Sequence, residues 1–143
     1  MKKQLMSILA LLSFSAHASE LSTFAEVADA VVGGKQLSFV VSFKNCESEN
    51  SVPNIKASFR PHALMLIANN RVTASDKHVT LDNPNFLRNP TIEYVKYNIN
   101  VDSGVEIQVT VMSAKDYRPV DHHQINCQLG KGFRVFSDER QIT

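Results

Sequence analysis

Long hydrophobic runs are almost absent from this sequence. The only one of any length, residues 5–14, is broken just by Ser7 and Ser13. At about ten residues it falls short of the roughly 20 that a membrane span requires. Nothing later in the chain is long enough to cross a bilayer as a helix. There is no internal repeat, no low-complexity stretch, no basic stripe of the kind that tracks nucleic acid or anionic lipid, and no acidic tail. Cysteine is scarce: Cys46 and Cys127 are the only two, neither in a Cys-x-x-Cys pair. No motif sets a base beside either thiol, so nothing marks one as a nucleophile.

What is present begins with a leader pattern. Lys2 and Lys3 precede the apolar run, and Ala16-His17-Ala18 puts small residues at the two positions a signal peptidase reads. The expected organisation is therefore a signal peptide over residues 1–18 and a single domain over residues 19–143. The residue directly after the cut is Ser19, not a cysteine, which argues against a lipoprotein. Losing two lysines lowers the formal charge from +1 to −1. The expected product is an exported monomer, periplasmic or secreted to the medium, with no integral membrane segment after processing and no nucleic-acid partner. Two cysteines in an exported chain read as one disulfide. Closing a loop of about 80 residues is worth at most roughly 4–5 kcal/mol in the chain-entropy treatment. A pair of free thiols is the alternative.

Residues 21–34 read as a helix. Thr23 and Glu26 have capping-box spacing, Phe24, Val27, Ala28 and Val31 form one apolar stripe, and Gly33-Gly34 is a stop. The polar face carries Glu26 and Asp29 without Lys or Arg, unlike a membrane-surface helix. From Leu37 the period changes to two. Strands are expected from Leu37 to Cys46, over 55–59, over 63–68 as a continuous apolar and central strand, and over 71–81, 91–101 and 105–112. Short strands at 124–129 and 133–136 complete the set. Residues 47–54, 82–90 and 114–123 read as loops, Asn69-Asn70 and Asp102-Ser103-Gly104 as turns, and residues 137–143 as a fraying tail. The fold class this predicts is α+β. The N-terminal helix packs on a curved, mostly antiparallel sheet or small open barrel, stapled by one disulfide.

Candidate chemistry is sparse. Asp76 and His78 lie two apart in a strand and share a face, where a carboxylate can orient an imidazole. Ser75 points the other way, so the three do not make a triad. Asp121, His122 and His123 are adjacent, and neighbours on extended chain diverge, so no metal site is read there. Tyr117 and Arg118 form a possible binding surface, or a loop anchor with Tyr packed and Arg paired to an acid. Gly33-Gly34-Lys35 lacks the spacing of a phosphate loop. No cofactor is implied.

The order of these segments resembles the VirK family of small exported bacterial proteins. The resemblance rests on the helix ending at Gly33-Gly34-Lys35, the strand from Leu37 into Cys46, Ser75-Asp76-Lys77-His78, Ile92-Glu93-Tyr94-Val95-Lys96-Tyr97, Asp116-Tyr117-Arg118-Pro119, and the run from Cys127 through Gly130-Lys131-Gly132 to Phe136. Residues 55–59 lack the glycines usual in that family. The resemblance implies that Cys46 and Cys127 are the family's paired cysteines, that the Asp76/His78 segment belongs to its pattern, and that the protein is tied to export and virulence loci of Gram-negative bacteria. It supplies no reaction. The expected function is a non-enzymatic accessory or binding protein with a protein or glycan partner. The competing expectation is an exported hydrolase using Asp76 and His78.

Overall fold

A computed structural model describes residues 18–48 and 54–138. The leader, apart from Ala18, and the tail beyond 138 lie outside the described residues. The chain opens with a strand, β1 (Ala18–Leu21), before its helix, α1 (Phe24–Val32). The helix starts later than residue 21 because its capping box fixes the first turn. Glu26 N donates to Thr23 Oγ1 at 3.3 Å, while the Glu26 carboxylate accepts from Thr23 N at 2.9 Å and Ser22 N at 2.7 Å. Those backbone donors, Thr23 first, hold the Glu26 carboxyl below its ordinary range. At the other end Lys35 N bonds to Ala30 O and Gly34 N to Val31 O, with Gly34 at φ +67°. This is a Schellman stop, and it uses the backbone freedom of glycine. Phe24, Val27 and Ala30 are buried.

Strand β2 (Leu37–Ser42) follows, then a 3₁₀ turn over Phe43–Asn45 that delivers Cys46, then the two-residue β3 (Glu47–Ser48). The remaining strands are β4 (Lys56–Phe59), β5 (Ala63–Ile67), β6 (Arg71–Thr80), β7 (Thr91–Asn100), β8 (Gly104–Ser113), β9 (Pro119–Leu129) and β10 (Gly132–Asp138). They form one sheet in the order β4-β2-β10-β9-β8-β7-β6-β5, with β1 added on β10 and β3 on β9. Pairing is antiparallel except for a short parallel contact between β9 and β10. The sheet curls until Phe59 of β4 meets Tyr97 of β7, with ring centroids 5.7 Å apart. Phe39, Tyr97 and Phe133 complete the aromatic centre at 5.0–6.1 Å. The architecture is a curled half-barrel. With one nine-residue helix and ten strands among the described residues the class is mainly β, not the α+β balance expected from the sequence.

The disulfide joins Cys46 to Cys127 across 81 residues. Gly132 lies against it, at φ +87°. A Cβ there would come within 2.9 Å of Asn45 O and Cys46 Sγ. Only glycine lets the chain leave β9 and enter β10 at this point.

Four other expectations need correction. Residues 63–67 form an edge strand, not a central one. Pro61 precedes it, Leu64 and Leu66 face inward, and Met65 is 56 % exposed. An unbroken apolar run does not reveal which side is covered. The hairpin turn after it centres on Ala68 and Asn69, both at positive φ. Ser137 and Asp138 are strand, with Ser137 Oγ hydrogen-bonded to Ser19 Oγ at 2.9 Å. Finally, only residues 114–118 loop out before β9. Pro119–Leu129 is one strand, bulged opposite Val111/Met112. Its first half is polar on both faces, which hid the period.

Candidate functional site

Strands β6–β9 present one inner face whose character changes along its length. At one end Val72 and Ala74, Ile99 and Tyr97, Val105 and Ile107, and Cys127 and Ile125 lie in register and are buried. One step along, the register row reads Asp76, Val95, Val109, His123. The next reads His78, Glu93, Val111, Asp121. The same pleat that builds the core thus delivers acids and histidines onto a valine floor.

A cavity of about 530 Å³ opens over these rows. Its floor is Val95, Tyr97, Ile107 and Val109; its walls are Phe43, Ile55, Ala57 and Phe59 on one side and Asp76 and His78 on the other, with Glu93 at the end. That volume suits a small ligand. A second cavity of about 400 Å³ shares Glu93 and Val109 and reaches Asp121 and His123. Its far side is Asn83, Asn85 and Phe86, from the irregular segment 82–90. Buried Asn83 shapes that segment. Its side chain accepts from Asn85 N at 3.1 Å and donates to Thr91 Oγ1 at 2.9 Å.

Asp76 and His78 do share the inner face, as strand alternation predicts. They are not coupled. Asp76 accepts from Lys77 N at 2.7 Å and faces His62 Nδ1 at 3.6 Å. The His78 side chain has no hydrogen bond or ion pair among the described residues. Ser58 borders the same cavity, yet no hydrogen bond ties it to an imidazole. Among the described residues a nucleophile, a base and a group to orient the base are therefore not hydrogen-bonded together. Asp121 and His123 pair through Nε2 at 3.0 Å, and His122 turns away to Thr110 at 3.1 Å. Among the described residues no three potential ligands converge on a metal position.

Tyr117 and Arg118 lie elsewhere. Arg118 borders a cavity of about 500 Å³ between segment 82–90 and the loop before β9. Arg118 Nε is 3.9 Å from Asp116, whereas Tyr117 is 65 % exposed at φ +58°. The arginine is paired, as an anchor requires, but the tyrosine is not packed.

Glu93 and Tyr97 are the site residues that sequence reading passed over. Both were visible on one face of a strand, but only cross-strand register sets them beside Asp76 and His78. Tyr97 is 1 % exposed and its hydroxyl has no partner among the described residues. Burial, with the Asp76 carboxylate nearby, pushes that hydroxyl above its ordinary value.

The comparisons with known proteins agree with this architecture. The profile of the family described as VirK protein matches residues 20–117. The chain belongs to the VirK family. The crystal structure of lpg1832, a VirK family protein from Legionella pneumophila, superposes with a TM-score of 0.78 at 41 % identity, covering 82 % of this chain and 98 % of that one. A more distant relative is the uncharacterized protein y4wH of Sinorhizobium fredii, 24 % identical over 123 residues, which are 83 % of each chain. The half-barrel is thus that of a VirK family protein, and the departure at residues 55–59 leaves a regular β4 in place.

Proposed function

We propose that this VirK protein is an exported, non-enzymatic binding protein whose ligand site is the cavity on the inner face of β6–β8, closed on one side by β4. The observation that carries this reading is the cavity itself: an apolar floor, a few polar groups on the rim, and no coupled catalytic set. Export is supported by the leader pattern of residues 2–18 and by the disulfide, which suits an oxidising compartment. Cleavage after Ala18 leaves Ser19–Leu21 free to keep their pairing with β10. The role that follows is an accessory one in the periplasm or medium, facing a host or the envelope, with virulence as its setting.

Two measurements test the proposal. Fractionation of the producing bacterium with intact-mass analysis is expected to yield a chain lacking residues 1–18 and two thiol hydrogens, outside the cytoplasm. A small-molecule fragment screen by amide NMR on that mature protein is expected to move resonances of β4 and of residues 76–78, 93–97 and 107–109. Shifts confined to other regions would remove the cavity as the site. Turnover of a test ester that disappears in His78→Ala, with folding intact, would establish the hydrolase instead.

A further inference from the structure

The end of the sheet where β6 passes into β7 and β8 into β9 exposes apolar groups that packing does not use. Of the four most exposed large apolar side chains among the described residues, three lie in these two connections: Leu87 at 90 %, Leu81 at 78 % and Tyr117 at 65 %. Bonded structure holds them out. Asn83 O accepts from Phe86 N at 3.1 Å and from Arg88 N at 2.9 Å, and Pro90 O accepts from Ala114 N at 3.0 Å, which ties one connection to the other. Leu87 and Arg88, at φ +53° and +59°, and Tyr117, at φ +58°, take the left-handed backbone without being glycine. That region is disfavoured for a leucine, and a side chain so exposed gains no packing in return. Backbone held this way at a surface points to a role other than stability.

Cations accompany these tips. The two connections, residues 81–90 and 114–118, carry Arg88, Lys115 and Arg118 against Asp82 and Asp116. The acids pair with the arginines, at 2.9 and 3.9 Å, and the Lys115 ammonium has no ion pair among the described residues. Leu87, Lys115 and Arg118 line one cavity, which shares no residue with the inner-face cavity walled by Asp76 and His78.

We propose that this end of the molecule docks on a bilayer surface containing anionic phospholipid. Leu81, Leu87 and Tyr117 enter the boundary between headgroups and acyl chains, and Arg88, Lys115 and Arg118 lie against the phosphates. Each residue type suits that boundary. Leucine leaves water for hydrocarbon, tyrosine settles at headgroup level, and arginine matches phosphate geometry. The net positive charge of the two connections complements a negative surface. A protein partner fits less well, because a protein interface has a close-packed apolar core and these side chains stand on separate connections.

The exported protein, shown by intact mass to lack residues 1–18, is sedimented with vesicles of phosphatidylcholine alone or with one-third phosphatidylglycerol. Association is expected to be about tenfold stronger with the anionic vesicles and to weaken with salt. Leu87→Asp, and Lys115→Glu with Arg118→Glu, should each reduce it about fivefold or more while leaving the thermal melt unchanged. The chain has no tryptophan, so Leu87→Trp supplies a single reporter. Its emission should move to the blue on adding anionic vesicles, whereas that of Met65→Trp, exposed on β5, should not. Association with neither vesicle would overturn the proposal and leave this end to a protein partner. Equal association with both, association that survives the Leu87 and charge-reversal variants, or a Leu87→Trp emission that stays fixed while the protein sediments would overturn it as well.

Discussion

Tyr97→Phe is the sharpest perturbation the structure offers, because it should stabilise the protein while leaving its packing unchanged. The ring is packed at 5.3 Å from Phe39, 5.7 Å from Phe59 and 6.1 Å from Phe133, and phenylalanine keeps all three contacts. Only the hydroxyl is lost, and among the described residues it has no hydrogen bond to lose. Leaving a buried polar group unsatisfied costs about 1–3 kcal/mol. Removing it is expected to return about 1–2 kcal/mol, allowing for relaxation of the pocket. For a domain of this size that is a rise in Tm of about 3–8 °C. Circular-dichroism melts and urea titrations of the mature, oxidised protein read the change, and an unaltered urea slope confirms that only stability moved. Tyr97→Ala is the control. Losing the ring from the aromatic centre should cost about 3–5 kcal/mol. A Tyr97→Phe protein that melts lower than the parent would mean that the hydroxyl is engaged in the folded state, and would refute the accounting.

Three further outcomes follow from the fold. Replacing Cys46 and Cys127 together by Ala is expected to lower stability by up to about 4–5 kcal/mol, given the 81-residue separation, as measured by urea midpoint. Gly132→Ala should cost well over 1 kcal/mol and depress yield of the oxidised form, because it combines φ +87° with a Cβ 2.9 Å from Asn45 O and Cys46 Sγ; a melt within 1 °C of the parent would contradict the stated geometry. Glu20 grips Arg134 through two hydrogen bonds of 2.7 and 2.6 Å, which hold its carboxyl below the ordinary value of 4.5. Its contribution is therefore present above pH 4.5 and fades as pH falls through the lower folded value, so Glu20→Gln should narrow its Tm deficit against the parent as pH drops from 7 towards 3.

How much of this was legible in the sequence depended on whether a face was covered. α1, β2, β6, β7 and β8 could be read from period alone, because one side of each meets the core. The capping box at Thr23 and Glu26 and the stop at Gly33-Gly34 act locally, and they appear in the structure as read. β5 was misplaced because Met65 and Ile67 are apolar on a side that nothing covers. The first half of β9 was taken for a loop because Asp121, His122 and His123 put polar groups on both sides. The site itself was half legible. Asp76 and His78 are two apart and needed only alternation, whereas Glu93, Tyr97, Asp121 and His123 join them through registers set by three separate hairpins.

That same irregularity explains why a site exists at this end of the sheet. Ten-residue strands such as β6, β7 and β8 are about 33 Å long. A nine-residue helix is about 13 Å long and, even laid along the strands, covers less than half of them. Its contacts are with β1, β5 and β6. Aromatic packing from β2, β4 and β10 extends the cover as far as Tyr97. Beyond that row the inner face meets, among the described residues, Phe43, Ile55 and β4 on one side and the 82–90 segment at the far end. An apolar residue at 76, 78, 93, 121 or 123 would be exposed to water without a partner; a polar one is solvated and can meet a ligand. The loss of alternation along β9 and the acids on β6 and β7 therefore have one cause, an inner face longer than what covers it. Extending the cover should undo the site: Ala57→Trp, which places an indole from β4 over Val95 and Val109, is expected to abolish cavity binding with the fold intact, and retained binding would place the ligand elsewhere.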